Sequence, residues 1–576
     1  MNKKDVAHLL EEIGTLLELK NENPFKVRAY HNAARIINGL IENLEELVAN
    51  GQLRSIKGIG EGLAEKITEF VRTGRLPYYE ELKKSLPPGL EEMLAIPGLG
   101  PKRIKALYDT LDISMIGELE YACHENRLLD LEGFGIKMQE NILKGIEQVR
   151  RHSEKHLFPT ALEAAESLLS EISRLKGVIR SGIGGSLRRR KEVIGDIDIL
   201  VSARPAEAPA IIEAFASHPD VEHVTAKGET KSSVHLKSGI NADLRVINDK
   251  EYPFALHYFT GSKEHNIAMR SLAKKRGIKM NEYGLFREPS DKLIPCADEE
   301  GIFRLLGMSY IPPELREDMG EIDAAIAGRL PELVENNDLR GTFHCHTKYS
   351  DGVNTVGQMA AAARVLSWEY LGIADHSQSA AYANGLDAAR VKTQWKEIDA
   401  FNGTSKGFRV FKGTETDILP DGTLDFPDKV LSGFDYVVIS VHSKFKISEA
   451  DMTKRIIKAL KNKYATMVGH LTGRLLLSRE PYPVDVQAVI DAAADYGKMI
   501  EINAHPLRLD LDWRWCRYAK EKGILLPINP DAHNTDGLRD TWYGVGTARK
   551  GWLEKKDVLN TFTAAQVEKR FESIHQ

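Results

Sequence analysis

The residues best suited to phosphate chemistry lie near the middle of the chain. Asp196 and Asp198 are two residues apart in GDIDILVS, and Asp243 follows in NADLRVI. Because side chains alternate along a strand, Asp196 and Asp198 project from one face while Ile197 and Ile199 are buried on the other. Asp243 on a neighbouring strand provides a third carboxylate. Three such acids suffice to hold two divalent ions for phosphoryl transfer.

A glycine and a serine precede these acids in GIGGSLRRRKEVIGDIDIL. Gly185 and Ser186 offer backbone N–H groups and a hydroxyl that suit a triphosphate, and Arg188 to Lys191 add positive charge. A solvated strand that carries two acids is the alternative interpretation. The ordered combination of Gly-Ser, the acid pair and a later strand acid favours a nucleotide site.

A second set of candidate ligands ends short apolar runs beyond Leu339, such as FHCH, YLGIADH, YVVISVH and LLPINPDAH. Imidazoles and carboxylates without thiolates favour zinc, manganese or iron, and their number exceeds the needs of one ion. We therefore predict a cluster of ions. Its candidate ligands are His344, His346, Asp351, His376, Glu415, His442, His470, Asp531 and His533.

Four more polar residues lie close to these runs. Lys444 in VHSK and Arg474 in GHLTGR are either phosphate-binding cations or plain surface charges. Glu501 and His505 of EINAH also lie near a predicted strand end, and the sequence assigns them no role.

Three short repeats in the first part of the chain pair two glycines around an apolar residue, just before a helical pattern. Glycine permits a tight turn, and the N–H groups at the start of the next helix can hold a phosphate. A plain turn between helices is the alternative for any one copy. Their repetition resembles helix-hairpin-helix units, which bind the DNA backbone without reading its sequence. The pairs are Gly58 and Gly60, Gly98 and Gly100, and Gly133 and Gly135.

Positioning these residues requires several kinds of domain. Helical periodicity continues to about residue 150, strand and helix signals mix up to about residue 320, and a strand–helix alternation follows residue 339. The alternation predicts a barrel of seven parallel strands with its chemistry at their C-terminal ends. We predict all-α domains at 1–80 and 81–150, an α+β domain at 151–320, a proline-tagged linker at 321–338 and an α/β barrel at 339–576.

The composition is that of a globular protein. The chain has 576 residues, of which 42% are hydrophobic and 28% charged, and this argues against disordered, collagen-like and coiled-coil classes. Four scattered cysteines and the lack of a visible export signal or apolar membrane-length run favour a cytoplasmic protein without disulfides or membrane association. Since the net charge is -5, nucleic-acid binding must come from local patches and backbone donors. We expect a monomer.

The segments GGSLRRRKEVIGDIDIL, NADLRVI and YFTGSKEHNIAMR resemble the family X DNA polymerases, and with the barrel the whole chain is similar to the bacterial PolX type. The resemblance implies a nucleotidyltransferase palm and thumb with two magnesium or manganese ions on the three aspartates, Asp243 being nearest the primer 3′-hydroxyl. It assigns the nucleotide phosphates to Gly185, Ser186 and Arg189. It assigns Tyr258, Phe259 and Gly261 to the sugar of the incoming nucleotide. Asn266 would contact the base of that nucleotide, and Arg270 would contact the template.

The same resemblance gives a role to Lys66 in GIGEGLAEKI. It stands where lyase-active members keep a Schiff-base lysine, and Lys26 and Tyr30 match the neighbouring 5′-phosphate pocket. An amine opens an abasic sugar when burial or nearby cations leave it unprotonated. Two positions depart from the pattern, because Gly62 replaces a phosphate-binding lysine and Leu157 replaces an arginine directed at the nucleotide in some relatives. Abasic-site lyase or endonuclease activity is therefore a secondary hypothesis.

The histidine-rich part resembles the PHP phosphoesterase domain, a distorted seven-stranded barrel with a trinuclear site. Asp351 occupies a place filled by histidine in some phosphatase members, whereas all nine positions carry competent ligands. The implied ligand sets are His344, His346, Glu415 and Asp531 for one ion, Glu415, His442 and His470 for a second, and Asp351, His376 and His533 for a third.

These patterns predict a DNA repair enzyme with two active sites. One fills short gaps in primer–template DNA with deoxynucleoside triphosphates, and the other trims 3′ ends as a 3′–5′ exonuclease. Two alternatives stay open. The first is a small-molecule phosphatase with an inert nucleotidyltransferase-like region, and the second is a non-catalytic adaptor for DNA ends.

Overall fold

The computed structural model describes residues 3–40, 43–129, 131–150 and 154–575, and the chain divides into two compact units. The first unit comprises Met1–His124 and Leu128–Val149, and the second comprises Glu125–Arg127 and Arg150–Gln576. Among the described residues we find no helix with the length and apolarity of a membrane span.

The described residues of the first unit are helical, as the sequence predicts. They form α1 (Lys3–Leu19), α2 (Pro24–Asn38), α3 (Leu44–Ala49), α4 (Glu61–Thr73), α5 (Pro77–Lys84), α6 (Pro88–Met93), α7 (Pro101–Leu111), α8 (Ile116–His124) and α9 (Ile136–Arg150). Helix α1 turns its apolar stripe inward, where Leu10, Ile13 and Leu17 are fully buried. One hydrophobic cluster extends from Val6 to Ile146, so both predicted helical segments share a core.

The second unit begins with the sheet that carries the predicted aspartates. Its elements are β1 (His156–Leu157), α10 (Phe158–Ile172), β2 (Val178–Ile183), α11 (Gly185–Arg188), β3 (Val193–Ile194), β4 (Asp196–Ala203), α12 (Ala208–Ala216), β5 (Val221–Lys227), β6 (Lys231–Leu236) and β7 (Asn241–Ile247). The five-stranded sheet has the order β2-β4-β7-β6-β5. On one of its faces Ile197 and Ile199 pack with residues of α10 and α12, which leaves the alternate side chains of β4 for chemistry.

A smaller α+β region follows and corresponds to the predicted thumb. It contains α13 (Tyr252–Thr260), α14 (Lys263–Lys275), β8 (Ile278–Asn281), β9 (Gly284–Arg287), β10 (Lys292–Ile294), α15 (Glu299–Leu305) and α16 (Glu321–Ile326). The three strands form an antiparallel sheet, and Phe254, Met269 and Phe303 are buried in the core beside it.

The rest of the chain forms a curled parallel sheet surrounded by helices. Its elements are β11 (Gly341–Cys345), α17 (Val356–Val365), β12 (Tyr370–Ile373), α18 (Ala388–Thr404), β13 (Arg409–Asp417), α19 (Asp428–Leu431), β14 (Tyr436–Ser440), α20 (Glu449–Leu460), β15 (Met467–Val468), α21 (Val486–Asp495), β16 (Met499–Ile500), β17 (Ile502–Asn503), α22 (Trp513–Glu521), β18 (Ile528–Asn529), α23 (Thr541–Lys550) and α24 (Ala564–His575).

The strands of this region confirm the predicted seven-stranded barrel. Strands β11 to β16 pair in chain order, and β17 pairs in parallel with β18. Only Glu501 separates β16 from β17, so these two pieces act as one interrupted strand. A parallel bridge between Cys345 and Ala532 joins the last strand to the first.

Residues 321–338, which the composition predicts to be a linker, are packed and not extended. They contain α16, and the Val334 N–H donates to the Leu553 carbonyl over 3.0 Å. Val334 is fully buried in the core of the barrel. The apolar residues of this segment therefore fasten it to the barrel although its flanks are polar. The domain bounds themselves stay predictions.

A buried ion-pair network holds the thumb to the first helix of the nucleotide motif. Glu299 accepts hydrogen bonds from Arg316 over 2.5 Å and from Arg188 over 2.8 Å, and Arg316 is fully buried. Burial alone would raise the pKa of the Glu299 carboxyl, but Arg316 and Arg188 hold it well below its usual range.

We predict that Glu299→Ala lowers the free energy of unfolding by about 3–5 kcal/mol, because it leaves buried arginine charge uncompensated. Urea unfolding at pH 7 measures the loss. Since the folded pKa of Glu299 is depressed, its contribution is present above the unfolded pKa of about 4.3 and declines as the pH falls below that value. Glu300→Ala changes an exposed neighbour and should stay within about 0.5 kcal/mol of the parent. Equal losses in both variants would contradict this account.

Candidate functional site

The three palm aspartates lie on neighbouring parallel strands. Asp198 of β4 is directly opposite Asp243 of β7, and Asp196 is opposite Asn241. Asp196 is exposed, whereas Asp198 and Asp243 are half-buried. Strand pairing therefore brings together the acids that the sequence predicts to share one surface.

Charge repulsion within this group is evident at Asp198. Its pKa is raised to about 7, first by burial and then by the charges of Asp196 and Asp243. Lys231 of β6 lies 2.8 Å from the Asp243 carboxylate. Among the described residues, the three aspartates are absent from the groups whose ligand atoms all lie within 4.8 Å of one another. Cations relieve such repulsion, so the donor set fits divalent metal ions.

The predicted phosphate motif packs against these acids. Gly185 begins α11 with a positive φ of 64°, and a Cβ there would lie 2.3 Å from the Asp198 carboxylate. Only glycine fits this position, because the backbone approaches the carboxylate so closely. The Gly184 N–H also donates to the Asp198 carbonyl over 2.8 Å. Ser186 follows at the same edge of the sheet and is half-buried.

Arg189 connects this motif to the segment after α13. Its guanidinium donates to the Thr260 carbonyl and lies 3.1 Å from the Glu317 carboxylate. The nearest atom to a Cβ built on Gly261 is an Arg189 nitrogen at 3.0 Å. The structure thus brings together Arg189 and Gly261, which the resemblance assigns to one nucleotide.

The residues predicted to contact the sugar, the base and the template lie on α13 and α14. The rings of Tyr258 and Phe259 meet edge to face with centroids 5.1 Å apart. Asn266 donates to the Tyr258 carbonyl over 2.7 Å, which holds the two helix ends together. Arg270 is exposed on α14.

In the barrel, Glu415 of β13 is the centre of the histidine cluster. Its Oε1 lies 3.4 Å from His344 Nε2, 3.3 Å from His442 Nε2 and 3.0 Å from His470 Nε2. Its Oε2 lies 2.9 Å from His376 Nδ1. Because these residues end different parallel strands, barrel closure gathers them at one rim.

The remaining candidates form the adjoining half of the cluster. Asp351 Oδ2 lies 3.4 Å from His376 Nε2 and 3.3 Å from His533 Nε2. His346 stacks on His533 with ring centroids 4.2 Å apart, and its Nε2 lies 3.1 Å from Asp531 Oδ1. All nine predicted ligands therefore meet in one buried cluster.

The pKa shifts within the cluster follow from burial and mixed charge. Burial alone would raise the pKa of Glu415, but His442, His344 and His376 hold it well below its usual range. Burial alone would lower the pKa of His376, but Asp351 and Glu415 hold it well above the usual value for histidine. Burial and the neighbouring His533 and His376 lower the pKa of His346 to about 3. Such mutual dependence is typical of a metal centre.

Several buried nitrogen and oxygen atoms of the cluster are free to bind metal ions. Several buried ligand atoms lie near charged neighbours but make no hydrogen bond among the described residues, namely His344 Nε2, His346 Nδ1, Asp351 Oδ2, His376 Nε2 and His533 Nε2. Groups of three or four ligand atoms lie within 4.8 Å of one another, as in His346, Asp351, His376 and His533. Buried polar atoms normally find partners, so this donor set fits divalent metal.

The sequence interpretation left Glu501 without a role, and the structure provides one. Its carboxylate is fully buried, lies 2.6 Å from His344 Nδ1 and accepts the His470 N–H over 3.0 Å. Asp417 holds His442 Nδ1 in the same way at 2.6 Å. These carboxylates fix the orientation of imidazoles that are candidate metal ligands. An acid between two buried strand residues, as in MIEINAH, is the signal that points to Glu501.

The other extra candidates do not join the cluster. Arg474 is buried against Asp512 at 2.6 Å and donates to the carbonyls of Arg508 and Leu509, so its charge is structural and it is not a surface residue. Lys444 is exposed. His505 Nδ1 accepts the Leu507 N–H over 3.2 Å within its own turn.

The glycine pairs of the first unit share one geometry. The first glycine of each pair has a positive φ, 100° at Gly58, 81° at Gly98 and 82° at Gly133. The intervening Ile59, Leu99 and Phe134 are buried, and the second glycines Gly60, Gly100 and Gly135, which are exposed, directly precede α4, α7 and α9. Each repeat thus presents a helix start to solvent, as anion binding requires.

Lys66 lies in a small cluster of aromatic and basic residues around Tyr78. The Lys66 ammonium is 4.8 Å from the Tyr78 ring centroid, and the Lys26 ammonium is 5.8 Å from it. Tyr30 stacks on Tyr78 with centroids 6.4 Å apart. The lysine that the resemblance assigns to a Schiff base and the two residues that it assigns to the 5′-phosphate pocket therefore share one aromatic neighbour.

Comparison with protein families matches four segments. These are a helix-hairpin-helix domain at residues 1–76, a SAM-like helix-hairpin-helix tandem at 90–148, a DNA polymerase beta thumb at 255–317 and a PHP domain at 342–505. Polymerase and PHP domains generally use divalent metals, in agreement with the donor sets described above.

Curated relatives match parts of the chain or all of it. A probable phosphatase of Caldanaerobacter subterraneus is 32% identical over 22% of this chain and 52% of its own length. DNA polymerase lambda of Rattus norvegicus is 25% identical over 54% of this chain and 56% of its length. The DNA polymerase/3′–5′ exonuclease PolX of Bacillus subtilis is 38% identical over 99% of both chains. The chain therefore belongs to the bacterial PolX group of family X DNA polymerases that carry a C-terminal PHP domain.

Proposed function

We propose that this chain fills short gaps in DNA from deoxynucleoside triphosphates and trims 3′ ends with its PHP domain. The observation that carries the proposal is the register that places Asp198 opposite Asp243, on the strand edge where Gly185 and Arg189 lie. That arrangement suits a nucleotide triphosphate beside a carboxylate pair.

In the polymerase site we assign Asp196, Asp198 and Asp243 to two magnesium or manganese ions. Two ions held by these carboxylates would supply positive charge to balance the triphosphate and to favour loss of the proton from the primer 3′-hydroxyl. Ser186 and the N–H groups at the start of α11 bind phosphate oxygens, and Arg189 balances their charge. Tyr258 and Phe259 support the incoming sugar.

The base and the template have their own contacts in this proposal. Asn266 lies against Tyr258 and is placed to bind the edge of the incoming base, and Arg270 contacts the template. The exposed hairpin starts of the first unit bind backbone phosphates, which makes DNA binding sequence-independent and salt-sensitive.

In the PHP site we assign the nine ligands to as many as three manganese, zinc or iron ions. Bound there, the ions supply an activated water and neutralise a phosphodiester for hydrolysis. Glu501 and Asp417 keep His344 and His442 oriented for binding. Since Glu415 lies among four imidazoles, its loss disturbs every part of the cluster.

We predict that Asp243→Ala reduces primer extension by at least about a thousandfold, because it removes a carboxylate that would hold the ions needed to neutralise the triphosphate. The assay is a gapped, 5′-phosphorylated DNA with manganese, run with and without nucleotides, so that one gel resolves extension from trimming. Trimming should persist. Normal extension by Asp243→Ala would reject the assignment of Asp243 to the polymerase site, and a parent that does not extend the primer would favour the phosphatase alternative.

For the PHP site, Glu415→Ala should abolish trimming and release bound metal while extension persists. Metal content by mass spectrometry provides a second measure, since the substitution removes the carboxylate shared by the cluster. Asp421→Ala is the matched control, because this exposed acid lies in the loop after the same strand. Unchanged trimming in Glu415→Ala would point to a different nuclease centre, and a parent without metal-dependent trimming would support the non-catalytic adaptor.

A second activity is favoured by the clustering of Lys26, Tyr30 and Lys66 around Tyr78. We propose that Lys66 forms a Schiff base with the sugar of an abasic site. Borohydride should trap wild-type protein on abasic DNA, and Lys66→Ala should lose that adduct. Lys84→Ala, an exposed lysine of the same unit, should keep it. Equal trapping by all three proteins would reject Lys66 as the nucleophile.

A further inference from the structure

Helix α23, the next-to-last helix of the barrel region, contacts the nucleotide motif of the palm. In α23, Trp542 lies under the Arg190 guanidinium, whose carbon is 4.4 Å from the ring centroid. A Cβ built on Gly546 would lie 3.1 Å from Arg190 Cδ, so this helix and the residues after α11 are in van der Waals contact. Both elements belong to the second unit.

Lys550, at the end of α23, makes the polar part of this contact. Its side chain is 1% exposed, and its ammonium lies 2.5 Å from the Glu317 carboxylate. The ammonium also donates to the Arg189 carbonyl over 3.2 Å and to the Glu314 carbonyl over 3.4 Å. Burial lowers the pKa of Lys550 to about 8 and Glu317 opposes that shift, so most of the ammonium is charged at pH 7.

Glu317 links this lysine to the proposed phosphate-binding arginine. The same Glu317 oxygen that contacts Lys550 accepts from Arg189 Nε over 3.1 Å, and Lys191 lies 3.6 Å from the other oxygen. Glu317 is 9% exposed, so water screens these charges weakly. Three cations thus share one carboxylate directly behind the proposed triphosphate site.

We propose that Lys550 of the PHP domain is a positioning residue for nucleotide binding in the polymerase site, acting through Glu317 and Arg189. The inference rests on the proposed role of Arg189. Without the Lys550 ammonium, fewer cations balance the buried Glu317 charge. Glu317 then attracts the Arg189 guanidinium more strongly and repels the anionic triphosphate. The Arg189 carbonyl also loses a donor, so the backbone that carries the guanidinium is less fixed.

The test compares steady-state nucleotide incorporation into gapped DNA by full-length variants. Lys550→Met should raise the KM for nucleotide about tenfold, the order expected for one lost charge-assisted hydrogen bond, with a smaller change in kcat. Trimming by the PHP site should be unchanged. Lys550→Arg keeps the charge and should recover much of the lost affinity, and Lys556→Met alters an exposed lysine and should match the parent. A parental KM in Lys550→Met would overturn the inference.

Arg189→Ala separates this inference from the proposed function. If Lys550 acts through Arg189, adding Lys550→Met to Arg189→Ala should raise the KM little further. Additive effects would overturn the route through Arg189, and a parental KM in Arg189→Ala would reject the proposed role of Arg189 itself. If Lys550→Met also loses trimming, the Glu317→Gln variant provides a second test, because it changes the same contact on the thumb side and leaves the PHP domain intact. A KM for nucleotide that differs from the parental value, with normal trimming, then supports the inference, and a parental KM overturns it.

Discussion

Carboxylates gathered in a partly dry interior repel one another, and the second unit depends on cations that relieve this repulsion. Asp198 shows the unrelieved case, because its raised pKa reflects burial and two neighbouring acids. Glu415 shows the opposite case, since imidazoles hold its pKa low. The first arrangement suits metal that arrives with a nucleotide, and the second suits a resident metal centre.

In the barrel, closure of the sheet brings imidazoles next to the buried carboxylates. Parallel strands bring their C-terminal ends to one rim, so ligands from distant parts of the chain converge without long loops. Carboxylates behind the ligands then orient the imidazoles, as Glu501 does for His344 and Asp417 does for His442. These outer contacts are as much a part of the site as the ligands themselves.

The palm and barrel are physically continuous around α23. Arg549 of this helix lies 2.8 Å from Glu314 of the thumb, and Val334 of the connecting segment is buried in the core of the barrel. The prolines and polar flanks of that segment predict a linker, but its apolar residues pack into the second unit and bury apolar surface. Two different chemistries thus reside in one compact unit.

Much of the candidate site could be predicted from local sequence. Alternation along a strand is a local rule, so the DxD pair and the strand-end histidines reveal which side chains share a face. The glycine pairs likewise specify turns whose positive φ the structure contains. Residue type then indicates the chemistry, because imidazole and carboxylate groups are metal ligands.

Other features depended on contacts between residues far apart in the chain. The contact between Lys550 and Glu317 joins positions 233 residues apart, and that between His344 and Glu501 joins positions 157 apart. No periodicity encodes such partners, since strand order and barrel closure decide which side chains meet. The sequence by itself determined the candidate ligands, the turns and the kinds of element. Only the tertiary structure decided which buried charge balances which, because that balance depends on distance and on the exclusion of water.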